Sequence, residues 1–475
     1  MDEARAVEGE QSLSLGGSEI APEPTHEGVA LGAGWRRGAM RAFEAIFLGY
    51  LLCVTASGRT FAHLHLTVGG APLFTGELVL LALTVLAIAI HGPRGLLPRP
   101  LDFPSVALLL LLAYGGILAV RGLAASYGLA ALRDYALVYY GWFFFLTRAY
   151  LRTDGTVQRI LGALLVGSVA GATARATAFL VSPSLSWGHG AAGYEALYAW
   201  TAVVIVLANL GAHQRPAAKV VAVAAILICS FVIFLSGYRT MLLVIATSLA
   251  FATLLTIGIH HAWLRAFVRR TWMWALVLLA TMVLARVIVP NTSRTVANNG
   301  SLRLSDALAI SSYRWSSDLY GARPGSLAHQ FDETGSVTFR ENAWRHAVQR
   351  ILSSPWGGIG FGTPAILHPA SDCDTFPSPT SNCGAAHNTY LMLAMRLGIP
   401  AALLFYVILL APLARAVAAR RNQADPLWAD PQFALSLVIG LSFLVFGSTS
   451  LLLESPYLSS VLWTQLAVIQ PRRPK

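Results

Sequence analysis

Val106-Ala107-Leu108-Leu109-Leu110-Leu111-Leu112 holds no polar residue, and it sits inside an apolar run reaching from Phe103 to Val120. An amphipathic helix on a soluble core would show a polar side chain at almost every turn. A run of this kind reads as a membrane span, for which about 20 apolar residues suffice. Working outward, comparable runs lie at Met40–Ala56, Leu73–Ile90, Ala130–Thr147, Ile160–Val181, Tyr194–Leu210, Ala217–Ser236, Thr240–Ile259, Trp272–Val289, Leu391–Pro412, Phe433–Leu453 and Tyr457–Ile469. The last is short, and the one from Leu391 is interrupted by Gly398-Ile399-Pro400. The pattern predicts an all-α polytopic membrane protein of about 12 transmembrane helices.

Composition points the same way. The 475 residues are 55% hydrophobic and 12% charged, with a mean hydropathy of +0.59, whereas a soluble globular chain is about one quarter charged. The formal charge of +11 does not indicate nucleic acid, because the basic residues stand at the ends of apolar runs rather than on a soluble face. With the N-terminus inside, the inner connections carry Arg94 and Arg99, Arg148 and Arg152, Arg215 and Lys219, Arg265, Arg269 and Arg270, then Arg415, Arg420 and Arg421. The short outer connections carry Arg59, Arg121, Arg133 and Arg239. This bias places both termini in the cytoplasm and one large loop outside. The expected division is a cytoplasmic tail at 1–38, nine spans at 39–290, the loop at 291–386, three spans at 387–470 and a second tail at 471–475.

Met1 to Gly34 is acidic, bears Gly, Ser and Pro, and has no aromatic residue, so it is expected to be disordered and no secretory signal. Cys53 and Cys229 fall within apolar runs and read as small buried filler. Cys373 and Cys383 lie in the outer loop, where an oxidising compartment would favour a disulfide closing a Pro-rich segment. Zinc is the rival reading, although neither cysteine has a CxxC partner. Glu44 and Glu77, at membrane depth, are candidates for structural ion pairs with arginines.

The polar island in this apolar chain runs from Arg340 to Leu391. It opens Arg340-Glu341-Asn342-Ala343-Trp344-Arg345, passes through Pro355-Trp356-Gly357-Gly358-Ile359-Gly360-Phe361-Gly362, and closes on His387-Asn388-Thr389-Tyr390-Leu391. Arg175 and Arg286 stand near the outer ends of their spans, and Arg239 lies on the tight turn Leu235-Ser236-Gly237-Tyr238-Arg239-Thr240. Cations at such depth either line a wet functional path or snorkel to headgroups. Guanidinium groups converging at one membrane face would suit a phosphate or diphosphate through forked hydrogen bonds. His387 precedes a helix start that Asn388 or Thr389 can cap, and its ordinary pKa suits a general base. A lone histidine is more often structural.

The Ser-Gly-Tyr-Arg-Thr turn, the Arg-x-x-x-Trp opening with Pro-x-x-Gly-x-Gly-x-Gly after it, and the His-Asn-x-x-Leu closing together resemble the O-antigen ligase superfamily of ligases, glycan polymerases and protein oligosaccharyltransferases. Arg133-Asp134-Tyr135 is similar to a family feature as well. The resemblance implies a C-type glycosyltransferase-like fold and a metal-independent, inverting transfer that needs no cofactor. It further implies that Arg239 and Arg340 bind the diphosphate of an undecaprenyl-diphosphate-linked glycan and that His387 activates the acceptor hydroxyl. Arg175, Arg286 and Asn388 are further candidates for substrate binding. The implied location is the bacterial inner membrane, with the site at its periplasmic face. The expected partners are the lipid-linked glycan donor, the bilayer, and a lipid A core or glycan acceptor, with no nucleic acid. A ligase acting on lipid A core leads. A polymerase using a second lipid-linked glycan is the alternative. A transporter of lipid-linked sugars would instead show repeated halves with matching broken helices, and a non-catalytic export scaffold would need no histidine at a helix mouth. Arg396 and the Cys373–Cys383 segment depart from the pattern.

Overall fold

A computed structural model describes residues 26–62, 64–68, 71–97, 101–125, 127–151, 155–181, 193–210, 215–235, 239–258, 262–288, 343–363, 388–419, 431–450, 452–453 and 455–470. Among these residues, four helices are long and apolar enough to cross a membrane, at Gly34–Ser57, Phe103–Ala124, Thr156–Ala178 and Pro216–Ile233. Shorter apolar helices occupy Thr75–His91, Tyr194–Asn209, Thr240–Leu254, Ile399–Ala411 and Ala434–Gly447. The fold is thus a bundle of apolar helices, as the hydropathy pattern requires.

Several boundaries differ from the reading of the sequence. The first helix begins at His26, inside the segment assigned to the tail. The second run is preceded by an antiparallel hairpin, His65–Val68 with Ala71–Phe74, so the described architecture is not purely helical. Helix Thr75–His91 starts only after Phe74, whose backbone N–H donates to the Glu77 carboxylate at 2.9 Å. That carboxylate also accepts from the Tyr139 hydroxyl at 2.6 Å, so Glu77 caps a helix and meets a phenol, whereas Glu44 does form the arginine pair, with Arg159.

The fourth run is two helices, Leu129–Tyr139 and Trp142–Tyr150. Between them Gly141 N–H donates to Val138 O at 2.8 Å and Phe143 N–H to Tyr140 O at 3.0 Å, the three-residue spacing of a tightened turn. A Cβ on Gly141 would lie 2.9 Å from the Leu108 side chain, so the glycine also makes room for that side chain against the turn.

Two packing features set the frame. In helix Thr156–Val181, Gly167 and Gly171 are spaced as in small-xxx-small membrane packing. Added Cβ atoms would come 2.4 Å from Leu52 O and 2.3 Å from Ala56 O, so the first helix lies backbone against backbone here. At the other end of the chain, every residue from Tyr457 to Val468 is buried. This last, short run is the helix that others surround, packing against Trp142–Tyr150 and Pro431–Gly447, and it takes Ser459, Ser460, Thr464 and Gln465 into the interior along with its apolar residues.

Candidate active site

The Gly-rich turn stands at the centre of the polar island. A helix covers residues 343–353, and the chain then winds through 354–363 onto the break in the tenth run. That run is two helices, Thr389–Leu397 and Ile399–Ala419, parted at Gly398 with φ +86°. The turn is stitched to the break by backbone bonds: Ile359 N–H to Met395 O at 2.8 Å, Gly360 N–H to Arg396 O at 3.1 Å and Ile399 N–H to Pro355 O at 2.8 Å. Gly358 has φ +65°, and a Cβ there would sit 2.3 Å from Arg396 O, so both its conformation and the close approach demand glycine.

A charge pair holds the far side of this turn. Arg396 is buried at 5% exposure and meets the Asp134 carboxylate at 3.0 Å. The same carboxylate oxygen accepts from Gly362 N–H at 2.7 Å, and the Arg396 guanidinium donates to the carbonyls of Gly360 and Thr363. Tyr114 adds a bond from its hydroxyl to Gly357 O at 3.2 Å. The Arg133-Asp134-Tyr135 feature and the departing Arg396 are therefore the two halves of one brace on the glycine turn. Both terminal nitrogens of Arg396 go to that brace, and its Nε is buried with no hydrogen-bond partner among the described residues.

The second assembly joins the two motif ends. Asn388 caps helix Thr389–Leu397, its side-chain oxygen accepting from Tyr390 N–H at 3.0 Å and Leu391 N–H at 3.1 Å. This capping role is the one its position suggested. Thr389, buried, donates to Ser450 O at 3.0 Å and accepts from Leu452 N–H at 2.7 Å. Thr449 in turn donates to the Thr240 hydroxyl at 2.9 Å, and Thr240 is the residue after Arg239. The backbone beside His387 and the backbone beside Arg239 are thus tied to one short segment. The eleventh run, read as continuous to Leu453, is helical only to Gly447, and Ser448-Thr449-Ser450 is where its chain leaves the helix to make these bonds.

The same connection reaches further around the bundle. Tyr198 donates to Tyr457 O at 2.9 Å and Tyr194 packs edge-on against the Tyr457 ring at 5.0 Å. Next in sequence to Tyr194, Glu195 takes the Arg175 guanidinium at 2.6 Å, and Arg175 also donates to Ala56 O at 3.3 Å. Arg175 accordingly has a carboxylate and a carbonyl as partners within the fold.

Arg340, His387, Cys373 and Cys383 fall outside the described residues, and so do the side chains of Arg239 and Arg286, whose backbones begin helix Arg239–Gly258 and end helix Ala262–Ile288. Among the described residues there is no group of three or more His, Cys, Asp or Glu that could hold a metal ion. The sequence reading took Thr389 as a possible cap and Thr240 as part of the turn, and missed Thr449 and Tyr457 and the bonds that join them to the site; the signal available was the polar Ser448-Thr449-Ser450 triplet inside an otherwise apolar run.

Against this geometry, residues 224–406 match the family model described as O-antigen ligase, which supports the O-antigen ligase family. The matched interval contains the Arg239 turn, the glycine turn, His387 and Arg396. No curated protein matches the chain.

Proposed function

We propose that this protein, a member of the O-antigen ligase family by its residues 224–406, transfers a glycan from undecaprenyl diphosphate to a hydroxyl of lipid A core at the periplasmic face of the bacterial inner membrane. The observation that carries the reading is that one matched interval takes in the Arg239 turn, the loop and His387. The clamp of Thr240 and Thr389 onto residues 449–452 supports it, since it draws the flanks of two distant motifs to one end of the bundle.

In this mechanism His387 takes the proton of the acceptor hydroxyl. The freed oxygen attacks the anomeric carbon in line, the bond from that carbon to the diphosphate breaks, and the configuration inverts. Arg239 and Arg340 meet the negative charge that accumulates on the departing diphosphate. Forked guanidinium bonds suit that leaving group and need no metal. Twelve spans, both termini in the cytoplasm and the loop 291–386 outside complete the proposed topology.

The test is glycan transfer in a deletion host expressing the wild type or His387→Ala at equal protein level, with lipopolysaccharide and free polysaccharide resolved by length. A ladder on lipid A core that returns with the wild type alone establishes a ligase. Unchanged lipopolysaccharide with a His387-dependent secreted polymer identifies a polymerase instead, and full activity of His387→Ala removes the proposed base.

A further inference from the structure

Helix 343–353 divides its surface into three sectors. Ala343, Ala347 and Ile351 are buried against the protein, while Arg345, His346, Gln349 and Ser353 occupy an exposed polar side. Between these sides runs an apolar edge, Val348 and Leu352, continued by Trp356 in the turn that follows. Leu352 is 71% exposed and Trp356 79%. A helix docked on a protein and facing water needs only the buried and polar sides, so the third sector calls for an explanation.

The edge does not end at Trp356. Ile399 N–H is bonded to Pro355 O at 2.8 Å, which sets the turn on the top of helix Ile399–Ala419. The exposed large hydrophobic residues among that helix's described side chains are Ile399, Leu403, Tyr406 and Leu410, spaced along one outward face. The helix is apolar, and in a membrane protein such an outward face lies in hydrocarbon. The Pro355–Ile399 backbone bond therefore joins the exposed apolar edge of Leu352 and Trp356 to the start of the lipid-facing side that carries Ile399 and Leu403.

We propose that helix 343–353 is a membrane-interface helix, with Val348, Leu352 and Trp356 immersed at the boundary of the leaflet and Arg345, His346 and Gln349 directed at lipid headgroups. Indole rings settle at that boundary because one edge is apolar and the N–H wants a polar partner, and basic side chains beside the apolar edge favour the headgroup layer. The occupant is bilayer lipid because the edge is joined to the start of a lipid-facing span. The helix is held from two sides, by lipid along this edge and by the Gly358 and Arg396 stitching at its end, which sets the depth of the glycine turn relative to the membrane. The inference rests on the membrane reading of helix Ile399–Ala419 and is independent of the transferase reading.

The experiment uses the full chain in phosphatidylcholine and phosphatidylglycerol vesicles. The protein has 12 tryptophans, so the Trp356 signal is taken as the difference between wild type and Trp356→Phe, a change that keeps the site apolar. The expected result is that phosphatidylcholine brominated near the glycerol end of its chains lowers this difference emission about twofold, with less effect from aqueous iodide. Iodide quenching equal to or greater than that by brominated lipid would place the edge in water and overturn the proposal. Quenching by neither would show that another protein surface or a second copy covers it, which overturns the proposal equally. Leu352→Trp in the Trp356→Phe background gives a second reporter of the same edge, and the same outcomes apply to it.

Discussion

The Arg396 guanidinium and the Asp134 carboxylate, 262 positions apart in the chain, meet at 3.0 Å and share the glycine turn between them. Asp134 holds the amide of Gly362 and Arg396 holds the carbonyls of Gly360 and Thr363, so each ion also satisfies backbone that lies outside regular structure. Unpaired backbone of this kind is costly at membrane depth. The pair is therefore a device for seating a loop between helices.

Removing either ion should unseat it. Asp134→Ala leaves the buried Arg396 uncompensated, at a cost of about 3–5 kcal/mol, and Arg396→Met, which strips the more exposed Asp134 of its partner, should cost less. The double variant should lose clearly less than the sum of the two single losses. Thermal unfolding of the four proteins in nanodiscs checks this, and strictly additive losses would show that the two side chains do not depend on each other.

The glycines of the turn should not be equivalent. Gly358→Ala puts a Cβ 2.3 Å from Arg396 O in a backbone at φ +65°, so it must displace the turn from the Gly398 break. Gly360 also has positive φ, +79°, but has nothing within 4 Å of an added Cβ. Gly360→Ala should then cost only the left-handed backbone term, about 1–2 kcal/mol. Expression level and melting temperature of the two variants give the comparison; equal damage would mean that conformation alone, and not the close approach, is decisive.

Thr389 can be tested for a positioning role. Thr389→Val keeps shape but removes the bonds to Ser450 O and Leu452 N–H, leaving buried groups unsatisfied at about 1–3 kcal/mol. If the clamp positions the His387 end of the site, glycan transfer should fall further than the amount of folded protein does, and Thr389→Ser should restore most of it. Transfer that merely tracks protein level would assign the hydroxyl to stability alone.

For Arg239, charge and geometry separate. Arg239→Lys should lose transfer nearly as fully as Arg239→Ala, because an ammonium cannot fork onto two phosphate oxygens. In a transfer assay at matched protein level, near-normal activity of the lysine variant would show that a positive charge is sufficient at that turn.

Much of the fold was legible in the chain because hydropathy is a local property. A helix in lipid must satisfy its own backbone and present apolar side chains, and runs such as Val106 to Leu112 state this residue by residue. The break at Gly398 was legible for the same reason, since a Gly-Ile-Pro sequence is visible without any partner. The break at Gly141 was not, because nothing in Tyr140-Gly141-Trp142 signals that Leu108 needs the space. The hairpin at 65–74 was likewise overlooked, its two strands being only four residues each.

The sequence by itself determined a membrane protein with a late polar island whose motifs resemble those of the O-antigen ligase family, because composition, run length and motif order need no neighbours to be read. Only the tertiary structure decided what those residues are bonded to. Asp134 could not be paired with Arg396, nor Thr240 and Thr389 gathered by residues 449–452, from their positions in the chain. Hydrogen bonds and ion pairs act over a few ångströms, and which distant residues come within that reach is set by how the helices pack around the buried helix Pro456–Val468.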